Sequence, residues 1–179
     1  AVGIANAKRM AAAAAAELGI DELDVLMSST GVIGLPLPIE KIERGVQGMK
    51  RELQDDPLVG AEGIMTTDTH AKAISCSVGN ATITIVAKGA GMIEPNMATM
   101  LSYIFTDAQF DAEQVKAMLP RVVANSFNML SVDSDTSTSD TCVILANGRA
   151  GRVDAGEFET ALARLCIRMA QILARDGEG

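Results

Sequence analysis

Gly79-Asn80 is the pair of residues that most restricts how this chain can fold. Upstream of it Ile74, Cys76 and Val78 alternate with Ser75 and Ser77, and downstream runs "ATITIVAK". Alternation on both sides of a two-residue, glycine-led loop predicts a β-hairpin. Period 2 turns one face of each strand to a core, and the glycine lets the chain reverse. Further apolar runs, "MLSYIF" (100–105) and "TCVILAN" (141–147, closed by Gly148), predict more strands. "DVLMSS" (24–29) reads as a short buried strand ended by "TGVIG", and "GIMTTDT" (63–69) as a strand running into a polar turn.

Between these stretches the period changes to that of a helix. Residues 4–18 are Ala-rich, with Lys8 and Arg9 on the exposed side. Ile39, Ile42, Val46 and Met49 recur at spacings of 3 and 4 after the "PLP" breaker. A helix is expected from "DAEQVKAML" (111–119), with Pro120 placed to kink it. Phe158, Leu162, Leu165, Met169 and Ile172 mark one face of a last helix reaching about Arg175, with Asp154 as its N-cap and Glu157 three residues on. Strands and helices are mixed and one pair is a hairpin, so the class is α/β or α+β, without internal repeats.

Composition narrows the function. With 48% hydrophobic and 21% charged residues among 179, the chain has the make-up of a globular protein with a sizeable core. A net charge of −8 leaves no basic stripe for phosphates, which argues against a nucleic-acid partner. No apolar run approaches the roughly 20 residues that span a bilayer, so no membrane partner is expected. Cys76, Cys142 and Cys166 lie far apart with no CxxC spacing, which suits reduced thiols and a cytoplasmic setting. The single histidine, His70, removes most His-based metal sites and reads as a loop residue. Aromatics are 3%, too few for stacking platforms. The chain opens inside a helix start and closes on "ARDGEG" after a long helix, so a piece of a longer protein is expected.

The stretch "KGAGMIEPNMATML" (88–101) carries the chemistry. A threonine hydroxyl is a poor nucleophile unless a base takes its proton. One solution makes the threonine a new N-terminus whose own α-amine is the base. That amine has an ordinary pKa of roughly 7.7–8.0, far nearer neutrality than a lysine. Creating it requires cutting the Ala98-Thr99 bond. Spacing alone also fits a plainer reading, in which a glycine-proline loop leads into a strand whose first residue is Thr99.

"SVDSDTSTSDT" (131–141) offers alternatives of its own. Asp133 and Asp135 give the DxDxT of dehalogenase-type phosphatases, but those enzymes need a downstream lysine, and no lysine follows Thr141. A calcium loop would need a glycine and a closing glutamate that are missing. The segment reads as a polar, hydrogen-bonding loop near the site.

Five stretches in order, "SSTGVIGLPLP", "IMTTDT", "KGAGMIEPNMATML", "SVDSDTSTSDT" and the terminal "DGEG", resemble the ornithine acetyltransferase (glutamate N-acetyltransferase) family along essentially the whole chain. The family usually has Gly where Ser134 stands. The resemblance implies an α/β fold of the DmpA/ornithine acetyltransferase type, with helices layered on mixed sheets and an N-terminal nucleophile. It implies self-cleavage between Ala98 and Thr99 within one structural domain incomplete at both ends. Residues 1–98 would then end an α chain, and 99–179 would begin a β chain. Thr99 resembles the acylated nucleophile, and Thr30 and Gly31 the oxyanion-hole pair. Thr66, Lys88 and Glu178 resemble substrate-binding residues, with Lys88 pairing to an amino-acid carboxylate as a point charge. Ping-pong acetyl transfer from N2-acetylornithine to glutamate follows, with no metal and no organic cofactor, and some relatives also take acetyl-CoA. After cleavage the two chains would stay together as a heterodimer, pairing further into a heterotetramer. Two alternatives stand beside this: an N-terminal-nucleophile aminopeptidase or amidase, and a non-catalytic small-molecule-binding domain.

Overall fold

The computed structural model describes residues 2–94, 99–137 and 139–177, and the chain forms two compact units that divide after Asp55. In the first unit the Ala-rich segment is helix α1 (Val2–Leu18), and the amphipathic segment is α2 (Ile39–Val46). Single 3-10 turns cover Glu22–Asp24 and Met49–Glu52. Arg9 of α1 forks onto Glu43 of α2 at 2.8 and 2.7 Å and also reaches Glu40 at 3.4 Å. The pair is solvated and therefore adds little to stability. The strand expected at 24–29 does not form. Asp21 accepts the Leu23 N–H at 2.9 Å and winds 22–24 into the 3-10 turn. Leu23 and Leu26 are left exposed, and among its described residues this unit has no strand to pair with.

The second unit holds helix α3 (Pro57–Gly63), strands β1 (Lys72–Val78), β2 (Ala81–Lys88) and β3 (Leu101–Gln109), helix α4 (Ala112–Ala124), strand β4 (Thr141–Arg152) and helix α5 (Ala155–Arg175). The predicted hairpin is β1–β2, antiparallel with Val78 opposite Ala81. Gly79 alone of the two loop residues has a positive φ, +58°, the pattern of a II′ turn that matches strand twist. β2 pairs antiparallel with β3, and β3 pairs parallel with β4 across the α4 crossover, giving a mixed sheet in the order β1-β2-β3-β4. The expected α/β class is therefore what forms.

Two boundaries differ from expectation. Residues 63–69 are not a strand: Asp56 caps Leu58 at 2.9 Å, Pro57 takes the first helical position, and α3 runs to Gly63. Asp68 then takes the Thr66 N–H at 3.2 Å, a local bond that competes with a ladder. β4 continues past Gly148, whose φ of +72° follows a register shift between Thr106 and Ala108. Helix α4 carries on through Pro120 to Ala124.

The core lies between α5 and one face of the sheet. Phe158, Leu162, Cys166, Met169 and Leu173 recur every 3 or 4 residues and are fully buried with Ile83, Ile85 and Ile104. Asp154 starts α5 by accepting the Glu157 N–H at 2.8 Å. No described helix is long and apolar enough to cross a membrane. The ladder fixes what matters for the site: Lys88, the last residue of β2, lies opposite Leu101, two residues after Thr99.

Candidate active site

Lys88 is among the largest fully buried side chains of the described residues, only 1% exposed. Its Nζ donates to Thr66 Oγ1 at 3.3 Å, and no carboxylate among the described residues lies within ion-pair distance. Burial pushes its pKa below the ordinary lysine value, against the pull of Asp68 and Asp140, while Lys72 pushes it the same way as burial. A cation taken from water without a partner is costly unless a ligand supplies the anion.

Beside Lys88 stands a carboxylate frame. Asp68, buried, accepts the Gly89 N–H and the Lys72 ammonium, each at 2.7 Å, as well as Thr66 N–H. Lys72 also donates to Asp176 at 2.5 Å, and Asp176 accepts both the N–H and the hydroxyl of Thr69. Burial alone would raise both acids, but these donors hold Asp68 below the usual carboxylate range and Asp176 down at about 2. The frame ties the 66–69 turn, the end of β2 and the end of α5 together. It thereby fixes both residues that flank the Lys88 ammonium, Gly89 in the chain and Thr66 in space.

Thr99 sits where the chain enters β3. Its φ is +44°, a left-handed conformation that a β-branched residue adopts at a cost of about 1–3 kcal/mol. The side chain is buried, and Oγ1 has no hydrogen-bond partner among the described residues. Gly89 backs it: a Cβ there would meet Thr99 O at 3.4 Å and Ile93 Cδ1 at 3.2 Å. The segments around Thr99 are held by the 131–141 loop. Ile93 and Val132 exchange backbone bonds at 2.7 and 2.6 Å, and Asp133 Oδ2 accepts the Met92 N–H at 3.0 Å. On the other side Asp140 Oδ1 accepts the Met100 N–H at 2.8 Å. The loop thus has the hydrogen-bonding use expected of it, and Asp133 acts through its side chain on Met92.

The fold brings Thr66, Lys88 and Thr99 of the expected set to one end of β2 and β3. Thr30 and Gly31 lie in the loop before α2 in the first unit, and Thr30 Oγ1 is shielded from solvent without a described partner. Ala98 and Glu178 lie outside the described residues. His70 is an exposed loop residue whose Nδ1 meets Thr69 Oγ1 at 3.0 Å. Sequence reasoning missed Lys72, Asp140 and Asp176. The 68/72 spacing of Asp and Lys was a visible signal for the first, whereas nothing local separates Asp140 from its neighbouring aspartates. No described cluster of His, Cys, Asp and Glu has the arrangement of a metal site.

The model of the ArgJ family matches residues 1–179. The chain is 49% identical over 178 residues to arginine biosynthesis bifunctional protein ArgJ 2 of Clostridium acetobutylicum, covering 99% of this chain and 46% of that protein. It is 44% identical over 178 residues to glutamate N-acetyltransferase Oat2 of Streptomyces clavuligerus, covering 99% and 45%. With ArgJ of Thermotoga neapolitana the identity is 45% over 188 residues, covering 99% and 47%. The chain spans somewhat under half the length of these curated relatives.

Proposed function

This chain belongs to the ArgJ family, and from that premise we propose that it carries the nucleophile of a glutamate N-acetyltransferase that moves an acetyl group from N2-acetylornithine to glutamate. The observation that carries the reading is the strained, buried Thr99 beside a buried Lys88, the first with no hydroxyl partner and the second with no counter-ion among the described residues.

Self-cleavage comes first. Thr99 Oγ1 attacks the Ala98 carbonyl carbon, the C–N bond breaks, and the hydroxyl proton ends on the Thr99 nitrogen. Water then divides the ester, leaving a carboxylate on Ala98 and returning a proton to Oγ1. Relief of the left-handed conformation at Thr99 favours this step, because a free α-amine no longer fixes φ. In the transfer Oγ1 bonds to the acetyl carbon of acetylornithine, and the amine passes the hydroxyl proton to the departing ornithine nitrogen. Glutamate's amine then takes the acetyl group. Lys88 binds the substrate α-carboxylate, with Thr66 beside it. Thr30 and Gly31 stabilise the oxyanion and Glu178 contacts substrate, roles assigned by sequence match alone. The reaction needs no metal or organic cofactor. The cut chains form a heterodimer and then a heterotetramer in the cytoplasm, where three free thiols are at home.

Intact-mass analysis of the enzyme containing this chain tests the reading. Cleavage at Ala98-Thr99 in wild type and none in Thr99→Ala is expected, with acetyl transfer lost in the variant. An uncut wild type, or a Thr99→Ala protein that still transfers acetyl, would overturn it. Hydrolysis of acetylornithine without acetylation of glutamate would replace transferase with amidase.

A further inference from the structure

Asp140 uses only half of its carboxylate. Oδ1 accepts the Met100 N–H at 2.8 Å, and the next residue, Thr141, donates its own N–H to Met100 O at 3.0 Å. Met100 is thereby gripped on both of its backbone polar groups, and the grip continues as the Leu101–Thr141 pair of the parallel ladder. Oδ2, in contrast, is shielded from solvent and has no hydrogen-bond partner among the described residues. A buried carboxylate oxygen left empty costs free energy that folding alone has no reason to bear. Burial pushes the Asp140 carboxyl above its ordinary range, opposed by the Met100 N–H and by the charge of Lys88. Among the described residues no cationic donor reaches Oδ2.

The Thr99 nitrogen can become one. It precedes the Met100 nitrogen by a single residue, and standard backbone geometry separates the two by about 3 Å. In the uncut chain it is a neutral amide with one hydrogen. Once freed by cleavage it is an amine whose hydrogens can rotate. We propose that Asp140 is the positioning residue of the Thr99 α-amine: Oδ1 fixes the backbone through Met100, and Oδ2 accepts from the amino group that cleavage creates. This rests on the reading of Thr99 as a nucleophile freed by cutting.

The role resembles that of an acid behind a general base. In each half-reaction the amine takes the Oγ1 proton and becomes an ammonium, which the carboxylate stabilises and orients. An adjacent negative charge also raises the amine's pKa. The other charges bearing on this point are Lys88 at the end of β2 and, behind it, Asp68 and Lys72.

Asp140→Asn tests the proposal, because it keeps an oxygen for the Met100 N–H and removes the charge. In the self-cleaved variant kcat should fall at least about tenfold. The acidic limb of the kcat/KM profile should move to lower pH by about one unit, since the amine loses its anionic neighbour. A lower rate with an unmoved limb means a structural role and overturns the proposal, as does a wild-type profile. Should Asp140→Asn fail to fold or to cut, the wild-type amine itself can be titrated through the pH dependence of its carbamylation by cyanate. A pKa above the ordinary α-amino range supports the ion pair, and one within or below that range refutes it. If wild type is never cut, the nucleophile reading falls and takes this proposal with it. If Thr99 is required and the limb stays still, only Asp140 is wrong.

Discussion

Lys88 and Gly89 are adjacent residues that serve the site at the expense of the fold. A fully buried ammonium held by one threonine hydroxyl lowers stability, because its desolvation is not matched by a direct anion. Lys88→Met, with similar volume and no charge, should therefore raise the thermal midpoint while raising KM for acetylornithine at least about tenfold, the loss expected for a charge-assisted contact. A parallel fall in both stability and affinity would mean that Lys88 is structural. Gly89 has a φ of +153°, which L side chains rarely adopt, and a Cβ there would press on Ile93 Cδ1 at 3.2 Å and touch Thr99 O at 3.4 Å. Gly89→Ala should cost roughly 1–3 kcal/mol in denaturant unfolding and slow self-cleavage, because relieving the strained φ would shift the backbone that abuts Thr99. The sequence made Thr66, Lys88 and Thr99 visible through motif similarity. It could not show that Thr99 is strained or that Lys88 lacks an anion, since both depend on what packs around them.

Among the elements, those with a long period were legible and those set by one side chain were not. α1, α5 and the β1–β2 hairpin follow from patterns repeated over many residues, so single deviations do not hide them. The strands expected at 24–29 and 63–69 were lost to Asp21, Asp56 and Asp68, each of which captures a nearby backbone N–H and bends the chain. The most informative element contact, the end of α5 on the start of β1, joins residues 104 apart through Lys72 and Asp176, beyond any local pattern. It carries a pH signature. The carboxyl of Asp176 is held at about 2 in the folded protein, below its unfolded value near 3.9. Its contribution is present above about pH 4 and disappears as pH falls from there to about 2, amounting to roughly 2–3 kcal/mol. Urea unfolding of wild type and Asp176→Asn should differ by about that amount at pH 7, and the gap should close by about pH 2. A gap constant across this range would show that Asp176 stabilises α5 by shape rather than charge.

At the scale of the whole molecule, the proposed cut and the fold divide the chain differently. The two compact units part after Asp55, whereas Ala98-Thr99 lies inside the second unit, on the connection from β2 to β3. Cutting there severs no strand, helix or ladder bond of the described structure. β2 in the first piece stays paired with β3 in the second from Ile83–Thr106 to Lys88–Leu101. α5, in the second piece, keeps its buried face on Ile83 and Ile85 of the first, and the Asp68–Lys72–Asp176 frame crosses the cut as well. Separating the pieces would expose that core, so association should be as strong as folding itself. The cut protein should elute as one species in size-exclusion chromatography and unfold in one cooperative transition, yielding two bands only under denaturing conditions. Phe158→Ala, which removes a fully buried ring from the shared core at a cost of about 3–5 kcal/mol, should make the pieces dissociate where wild type does not. Two independently folded pieces, each with its own transition, would show instead that the sheet does not hold the halves together.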